Sequence, residues 1–240
     1  MEHQASGSGP GQERPVPMTA QTPAHDTANP DLLAILPAVA RLVEVGCGTG
    51  ALARAYHARQ PRAHWLGIDI EPTYAELARR HCQEVMVGDV ERMLDDPELT
   101  ERLRADCWIF GDSLEHLRDP WRVLRQVHGL LTPGGSVCAC IPNAQHWSVQ
   151  ARLCLGQFVY EDSGLLDRTH LRWFTPSTMT TLFVDNGYRI IQRIPRIFPH
   201  PAEAMVLKQI HAFAQRLGGN PEQAVREARP LQLVIRAERC

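Results

Sequence analysis

From about residue 30 onward, short apolar runs alternate with segments whose apolar residues recur every three or four positions. Short runs bounded by Gly, Pro or Asp suit buried strands. The three-to-four spacing suits helices that bury one face. The pattern predicts strands over Arg41–Val45, Trp65–Ile70, Glu84–Val87, Asp106–Gly111, Ser136–Ile141, Tyr188–Arg193 and Leu231–Arg236. Between them it predicts helices over Ala51–Arg59, Pro72–His81, Pro97–Arg104, Pro120–Leu131 and Pro176–Asn186, after a short helix Leu32–Leu36 capped by Asp31 and ended by Pro37. Strands and helices in alternation imply an α/β fold, a mostly parallel sheet with helices on both faces.

Two stretches break the rhythm. Residues 142–175 show neither period. Residues 195–230 show one helical pattern, near Ala202–Leu217. Both read as insertions over the scaffold, where specificity usually resides. Residues 1–29 are rich in Gly, Pro, Ser, Gln and Thr without periodic apolar positions, and are expected to form a disordered tail ahead of one domain over 30–240.

Composition narrows the function classes. The 44% apolar content supplies a full core, and 25 basic against 27 acidic residues give no global pull toward nucleic acid. No run approaches the ~18 apolar residues of a membrane span, and the N-terminus lacks a secretory pattern. The seven cysteines are odd in number and include no C-x-x-C pair. They suggest neither a disulfide framework nor a zinc site, and a cytoplasmic location fits. Cys138 and Cys140 read as small buried strand residues.

The densest chemical signal is Glu44-Val45-Gly46-Cys47-Gly48-Thr49-Gly50, at a predicted strand-to-helix junction. Glycines there let the backbone turn sharply and let a ligand come close. Spacing alone leaves two ligands open, because Gly46 to Ala51 with Asp69 downstream also satisfies a loose dinucleotide pattern. Further along, Gly67-Ile68-Asp69-Ile70, Gly88-Asp89-Val90, Asp112-Ser113-Leu114-Glu115-His116-Leu117 before Asp119-Pro120, and Leu131-Thr132-Pro133-Gly134-Gly135 follow in order. Asp69, Asp89 and Asp112 fall at carboxyl ends of successive strands, where open α/β sheets bind ligands.

With these motifs, residues 40–142 resemble the class I S-adenosylmethionine (SAM)-dependent methyltransferases. The resemblance implies a Rossmann-like, seven-stranded, mostly parallel sheet whose last strand is antiparallel. It also implies a cofactor site drawn from Glu44, Gly46, Cys47, Gly48, Gly50, Asp69, Ile70, Asp89, Val90 and Asp112. In that site Asp69 would accept from the ribose hydroxyls and Ile70 would pack on the adenine. Asp89 would accept from the adenine amino group, beside the Val90 backbone. The run Gly164-Leu165-Leu166-Asp167-Arg168-Thr169-His170-Leu171-Arg172-Trp173-Phe174-Thr175 is similar to a "GLLDRTHLRFFT" signature. The subfamily that carries it is often associated with glycosyltransferases and with cell-surface or natural-product sugars.

On the acceptor side, Trp147, Tyr160, Asp167, Arg168 and Arg172 offer polar groups and aromatic walls for a small molecule, a sugar or glycoconjugate among the options. Methyl transfer to a hydroxyl benefits from a base, and histidine titrates near working pH. The candidates are His146 and His170, ahead of His116. No metal is assigned. The reading is O-methylation of a sugar or other hydroxylated metabolite, with N-methylation of an amine or peptide as the alternative. An NAD-dependent oxidoreductase and a SAM-binding protein without turnover are the competitors from other classes. Oligomeric state stays open, a homodimer included.

Overall fold

The computed structural model describes residues 26–240. The expected tail falls mostly on residues outside this range. Of its last four, Asp26 pairs with Arg54 at 3.1 Å, and Asn29 caps the first helix by accepting from the amides of Asp31 and Leu32. That cap was expected to be Asp31. The shift by two places arises because Pro30 occupies the first helical turn, where its missing N–H costs nothing.

The elements are α1 (Pro30–Ile35), β1 (Arg41–Val45), α2 (Ala51–His57), β2 (His64–Asp69), α3 (Pro72–Ala78), β3 (Glu84–Val87), α4 (Val90–Met93), α5 (Pro97–Arg102), β4 (Ala105–Gly111), α6 (Pro120–Leu130), β5 (Leu131–Pro142), α7 (Trp147–Cys154), α8 (Pro176–Val184), β6 (Tyr188–Arg196), α9 (Glu203–Arg216), α10 (Pro221–Ala228) and β7 (Gln232–Arg239). A single 3₁₀ turn, Leu114–His116, follows β4. Among the described residues, seven strands form one sheet in the order β3-β2-β1-β4-β5-β7-β6. Strands β1 to β5 pair in parallel, and β7 runs antiparallel to both β5 and β6. This is the Rossmann-like sheet with an antiparallel last strand.

Both faces are buried, as a parallel sheet requires. On β4, Trp108 and Phe110 join one apolar cluster with α4, α6 and α8, while Cys107 and Ile109 join the other with α1, α2 and α3. Helix α6 shows how sequence dictates this packing. Asp119 caps it through Arg122 N at 2.9 Å, Pro120 opens it, and Val123, Leu124, Val127 and Leu130 bury one stripe. Cys138 and Cys140 are fully buried strand residues, and all seven cysteines are free thiols.

The two stretches that break the sequence rhythm hold structure whose periods are short or mixed. Residues 142–175 contain α7 and then an irregular run that returns to β5, with Ala144 N donating to Phe174 O at 2.8 Å. Residues 195–230 hold the end of β6, then α9 and α10. No helix among the described residues is long and apolar enough to cross a membrane.

Candidate active site

Strand order reverses between β1 and β4, which leaves a crevice at their carboxyl ends. The loop after β1 enters it. Gly46 N and Cys47 N both donate to Ile68 O, at 2.8 and 3.1 Å, pinning the loop to β2. Gly46, Gly48 and Gly50 have φ of +72°, +53° and +77°, a region that side chains disfavour. A Cβ on Gly50 would also approach the Ala78 backbone to 3.1 Å. The loop therefore presents backbone to the crevice.

Two of the predicted residues act from beneath this loop. Cys47 is buried, and a Cβ added at Gly67 would lie 2.7 Å from its Sγ. Its hydrogen bond to Cys82 and its burial push the thiol pKa far up. Glu44 is buried and accepts from Trp65 Nε1 at 3.0 Å. Burial, followed by neighbouring Cys82 and Asp69, raises its pKa well above the ordinary carboxylate range. Glu44 is a strut between β1 and β2 at the base of the loop.

The other acids rim the crevice. Asp69 ends β2, where its Oδ2 accepts from Gly48 N at 2.8 Å and its Oδ1 from Glu71 N at 2.9 Å. It ties the glycine loop to the next turn while each oxygen keeps a second lone pair. Beside it Ile70 is 51% exposed, an apolar side chain open at the crevice. Asp89 caps α4 through Glu91 N at 2.9 Å and turns its other oxygen to Arg118 Nη1 at 3.4 Å, while Val90 is buried. Asp112 follows β4 with φ of +55°, the one non-glycine with positive φ among the described residues. Such strain concentrates at functional sites. Its amide donates to Cys140 O at 3.1 Å, and its Oδ1 accepts from Gln232 Nε2 at the start of β7.

The structure brings two of the three predicted histidines together. His116, in the 3₁₀ turn, and His170 have ring centroids 4.8 Å apart. Leu171 N and Arg172 N donate to Glu115 O at 2.9 and 3.0 Å, docking the 164–175 run onto the turn after β4. His116 Nδ1 lies 3.2 Å from Thr169 O and 3.1 Å from Thr169 Oγ1, and that hydroxyl donates to Asp167 Oδ1 at 2.7 Å. Burial lowers the pKa of His116, and burial with His116 nearby lowers that of His170 to about 4. Both rings are neutral at physiological pH.

His146 belongs to another cluster. It caps α7, its Nδ1 is 2.8 Å from Ser148 Oγ, and its ring packs on Trp147, which packs on His200. Burial lowers its pKa to about 4, against an opposing pull from Glu203. Glu203 in turn accepts from Arg229 Nε at 2.9 Å, so α9 and the end of α10 form this wall.

The predicted substrate residues divide by burial. Trp147 and Asp167 are buried, the latter accepting from the Thr169 amide at 2.8 Å within its own turn. Tyr160 is 51% exposed, edge-on to Phe158. Arg168 pairs with Asp162 at 2.7 Å, and Arg172 donates to the carbonyls of Leu171 and Arg118. Phe174 is the anchor of the segment, buried beside Trp121.

Two contributors were missed, and a third, Glu115, stood in a recognised run without a role of its own. Asn143 is wholly buried, and its Nδ2 donates to Glu227 O and Pro230 O, both at 2.8 Å, tying the β5 exit to the end of α10. Glu91 accepts from Arg118 N and Asp119 N at 3.0 and 2.8 Å, holding α4 against the turn after β4. Glu115 is 1% exposed, between His116 and the apolar Leu114. Burial and then Asp112 raise its pKa well above the ordinary range. The Asp112–Leu117 run signalled its place but not its burial.

Comparison with known proteins agrees with this geometry. The family described as "Methyltransferase domain" matches residues 23–193. A ubiquinone biosynthesis O-methyltransferase of Pseudomonas aeruginosa is 32% identical over 99 residues, which is 40% of this chain and 42% of that protein. The match thus spans less than half of that relative. Among solved structures, a SAM-dependent methyltransferase of Thermotoga maritima, described as a possible histamine N-methyltransferase, superposes with a TM-score of 0.57 at 19% identity, covering 86% of this chain and 84% of its own. Human N-acetylserotonin methyltransferase in complex with SAM superposes with a TM-score of 0.54 at 18% identity, covering 87% and 50%. At those identities the likeness is one of fold.

Proposed function

This chain belongs to the methyltransferase-domain family, and from that premise we propose that it moves a methyl group from SAM to a hydroxyl of a small-molecule acceptor, a sugar or another hydroxylated metabolite. The family decides between the two nucleotide ligands that loop spacing alone left open. When bound, the cofactor supplies an activated methyl on a sulfonium, so the protein's task is alignment and proton handling.

The described residues suit that cofactor. The backbone around Gly46, Gly48 and Gly50 takes its methionine end, close to Asp112. Asp69 uses its remaining lone pairs on the ribose hydroxyls, and Ile70 gives the adenine an apolar face. Asp89 and the Val90 backbone meet the adenine edge. Glu44 and Cys47 support the loop from below.

One observation carries the choice of a hydroxyl acceptor: the neutral His116–His170 pair, 4.8 Å apart, beside the Asp112 turn. A hydroxyl has to lose its proton as it is methylated, and a paired imidazole site is equipped for that. The name of the Pseudomonas relative points the same way. The sugar acceptor rests on the 164–175 signature. Trp147, Tyr160, Asp167, Arg168 and Arg172 shape the acceptor side, with His146 in its wall. Free cysteines suit action in the cytoplasm.

The test is product analysis with isotopically labelled SAM against fractionated small-molecule extracts. The proposal expects label on oxygen in a hydroxylated product. Label on nitrogen would replace it with the amine reading, and no label transfer from SAM would overturn it.

A further inference from the structure

Glu115 is the most conspicuous unsatisfied group near the crevice. Its side chain is 1% exposed, and neither carboxylate oxygen has a hydrogen-bond partner. A carboxylate removed from water without a partner is costly, and a cation is one way to relieve the cost. His170 is buried beside it, with Nε2 3.9 Å from Glu115 Oε1 and with Nδ1 lacking a partner. His116 completes the group, since one ligand-competent atom from each of the three residues lies within 4.8 Å of the others.

We propose that Glu115, His116 and His170 bind one divalent cation of the class that accepts both imidazole nitrogen and carboxylate oxygen, such as zinc, iron(II) or cobalt(II). Calcium and magnesium prefer all-oxygen shells and fit this donor set less well.

The orientation of His116 is an independent support. Its Nδ1 faces the carbonyl of Thr169 at 3.2 Å, and a carbonyl can only accept. Nδ1 therefore carries the proton, and Nε2 keeps its lone pair. Behind it, Thr169 Oγ1 donates to Asp167 Oδ1 at 2.7 Å. Metal-binding histidines are fixed in this way, by a carbonyl or carboxylate on the far nitrogen. Asp112 and Asp167 also act on Glu115 as like charges, so the surrounding field favours a cation.

The geometry is close to a finished site. Ligand atoms bonded at ~2.0–2.1 Å to one tetrahedral ion lie roughly 3.4 Å apart. From within 4.8 Å, side-chain rotations of about an ångström close the set. Three protein ligands leave a position open, as catalytic sites of this kind do. On the methyl-transfer reading, on which this consequence alone rests, an acceptor hydroxyl at that position loses its proton to solvent more readily, the bound ion then replacing the free imidazoles as the group that promotes that loss.

The test uses the full chain without a polyhistidine tag, stripped with a chelator and dialysed. It is titrated with cobalt(II) and zinc(II) by calorimetry and visible absorption. The proposal expects one ion per chain, cobalt d–d bands, and displacement of cobalt by zinc. Glu115→Gln, His116→Ala and His170→Ala should each weaken binding by at least about tenfold. His211→Ala, at the surface pair with Glu222, should leave binding unchanged. Circular dichroism of every variant reports folding. Absence of stoichiometric binding to the unsubstituted chain overturns the proposal, as does binding that survives the three substitutions or is lost with His211. SAM titration of the same samples separates the two readings: SAM binding without cation binding overturns this inference alone, and cation binding without SAM binding overturns the methyl-transfer reading alone.

Discussion

The crescent along β1 to β4 proposed for the cofactor and the wall of residues 142–175 and 197–231 proposed for the acceptor are made by different means. In the crescent, the glycine loop, Asp69 and the cap made by Asp89 find partners within a few residues or on the adjacent strand, while Asp89 and Asp112 also reach Arg118 and Gln232. Asp89 and Asp112 sit one turn past their strands, and Asp69 reaches the neighbouring glycine loop. In the wall, partners come from far along the chain: His116 with Thr169, Asn143 with Pro230, Glu203 with Arg229. Backbone geometry fixes the first region, and side-chain burial fixes the second. One scaffold can therefore keep its cofactor site while the wall is rebuilt for another acceptor.

This contrast can be broken experimentally. The largest expected effect is on turnover. His116→Ala and His170→Ala should each lower it by about 10²–10⁴-fold with SAM affinity kept, measured by single-turnover assay beside calorimetry. A parallel loss of SAM affinity would merge the two regions. Next comes Gly50→Val, expected to cost roughly 2–4 kcal/mol of stability through strain at positive φ and overlap with Ala78. Urea denaturation reads it, and an unchanged midpoint would remove the backbone argument for the loop.

Asp69→Ala should weaken SAM binding by about 1–3 kcal/mol, and unchanged calorimetric affinity would take Asp69 out of the site. A pH effect of smaller size follows from His146. Its folded pKa is about 4 against 6.5 when free. The unfolded chain takes up that proton first, so stability is full above about 6.5 and falls as pH drops toward 4. Melting curves of His146→Ala should be flatter across that window; parallel curves would place His146 in solvent. Smallest is Arg168→Ala, whose exposed pair with Asp162 should be worth less than about 1 kcal/mol. A larger loss in thermal denaturation would make that pair part of the wall's framework.

The same contrast explains what was readable in the sequence. The glycines, Asp69, Asp89 and Asp112 announce themselves because turns and caps are local, and the strand periods around them are clean. The short helix α4 was missed because four residues carry no period. The partners of His116 could not be read, because Thr169 lies more than fifty positions away and no spacing rule links them. Glu115 was legible as part of the run after β4, but its burial was not, because the 164–175 segment that docks on it comes from far along the chain. Glu44 and Cys47 lie at the end of β1 and just after it, as the motif implies, but their inward orientation depends on Trp65 of β2 and on Cys82 in the connection between α3 and β3.

The strand order ending β5-β7-β6 has a consequence for synthesis. The last of the seven strands in chain order is an interior one, inserted between two that precede it in the chain. Until it arrives, β6 has no hydrogen-bonded neighbour, and β5 offers an open edge. The nascent chain thus holds its glycine loop and first five strands ready while the sheet waits for residues 232–239. Completion of the sheet waits on that one strand, and a chaperone that shields an exposed sheet edge would act in that interval.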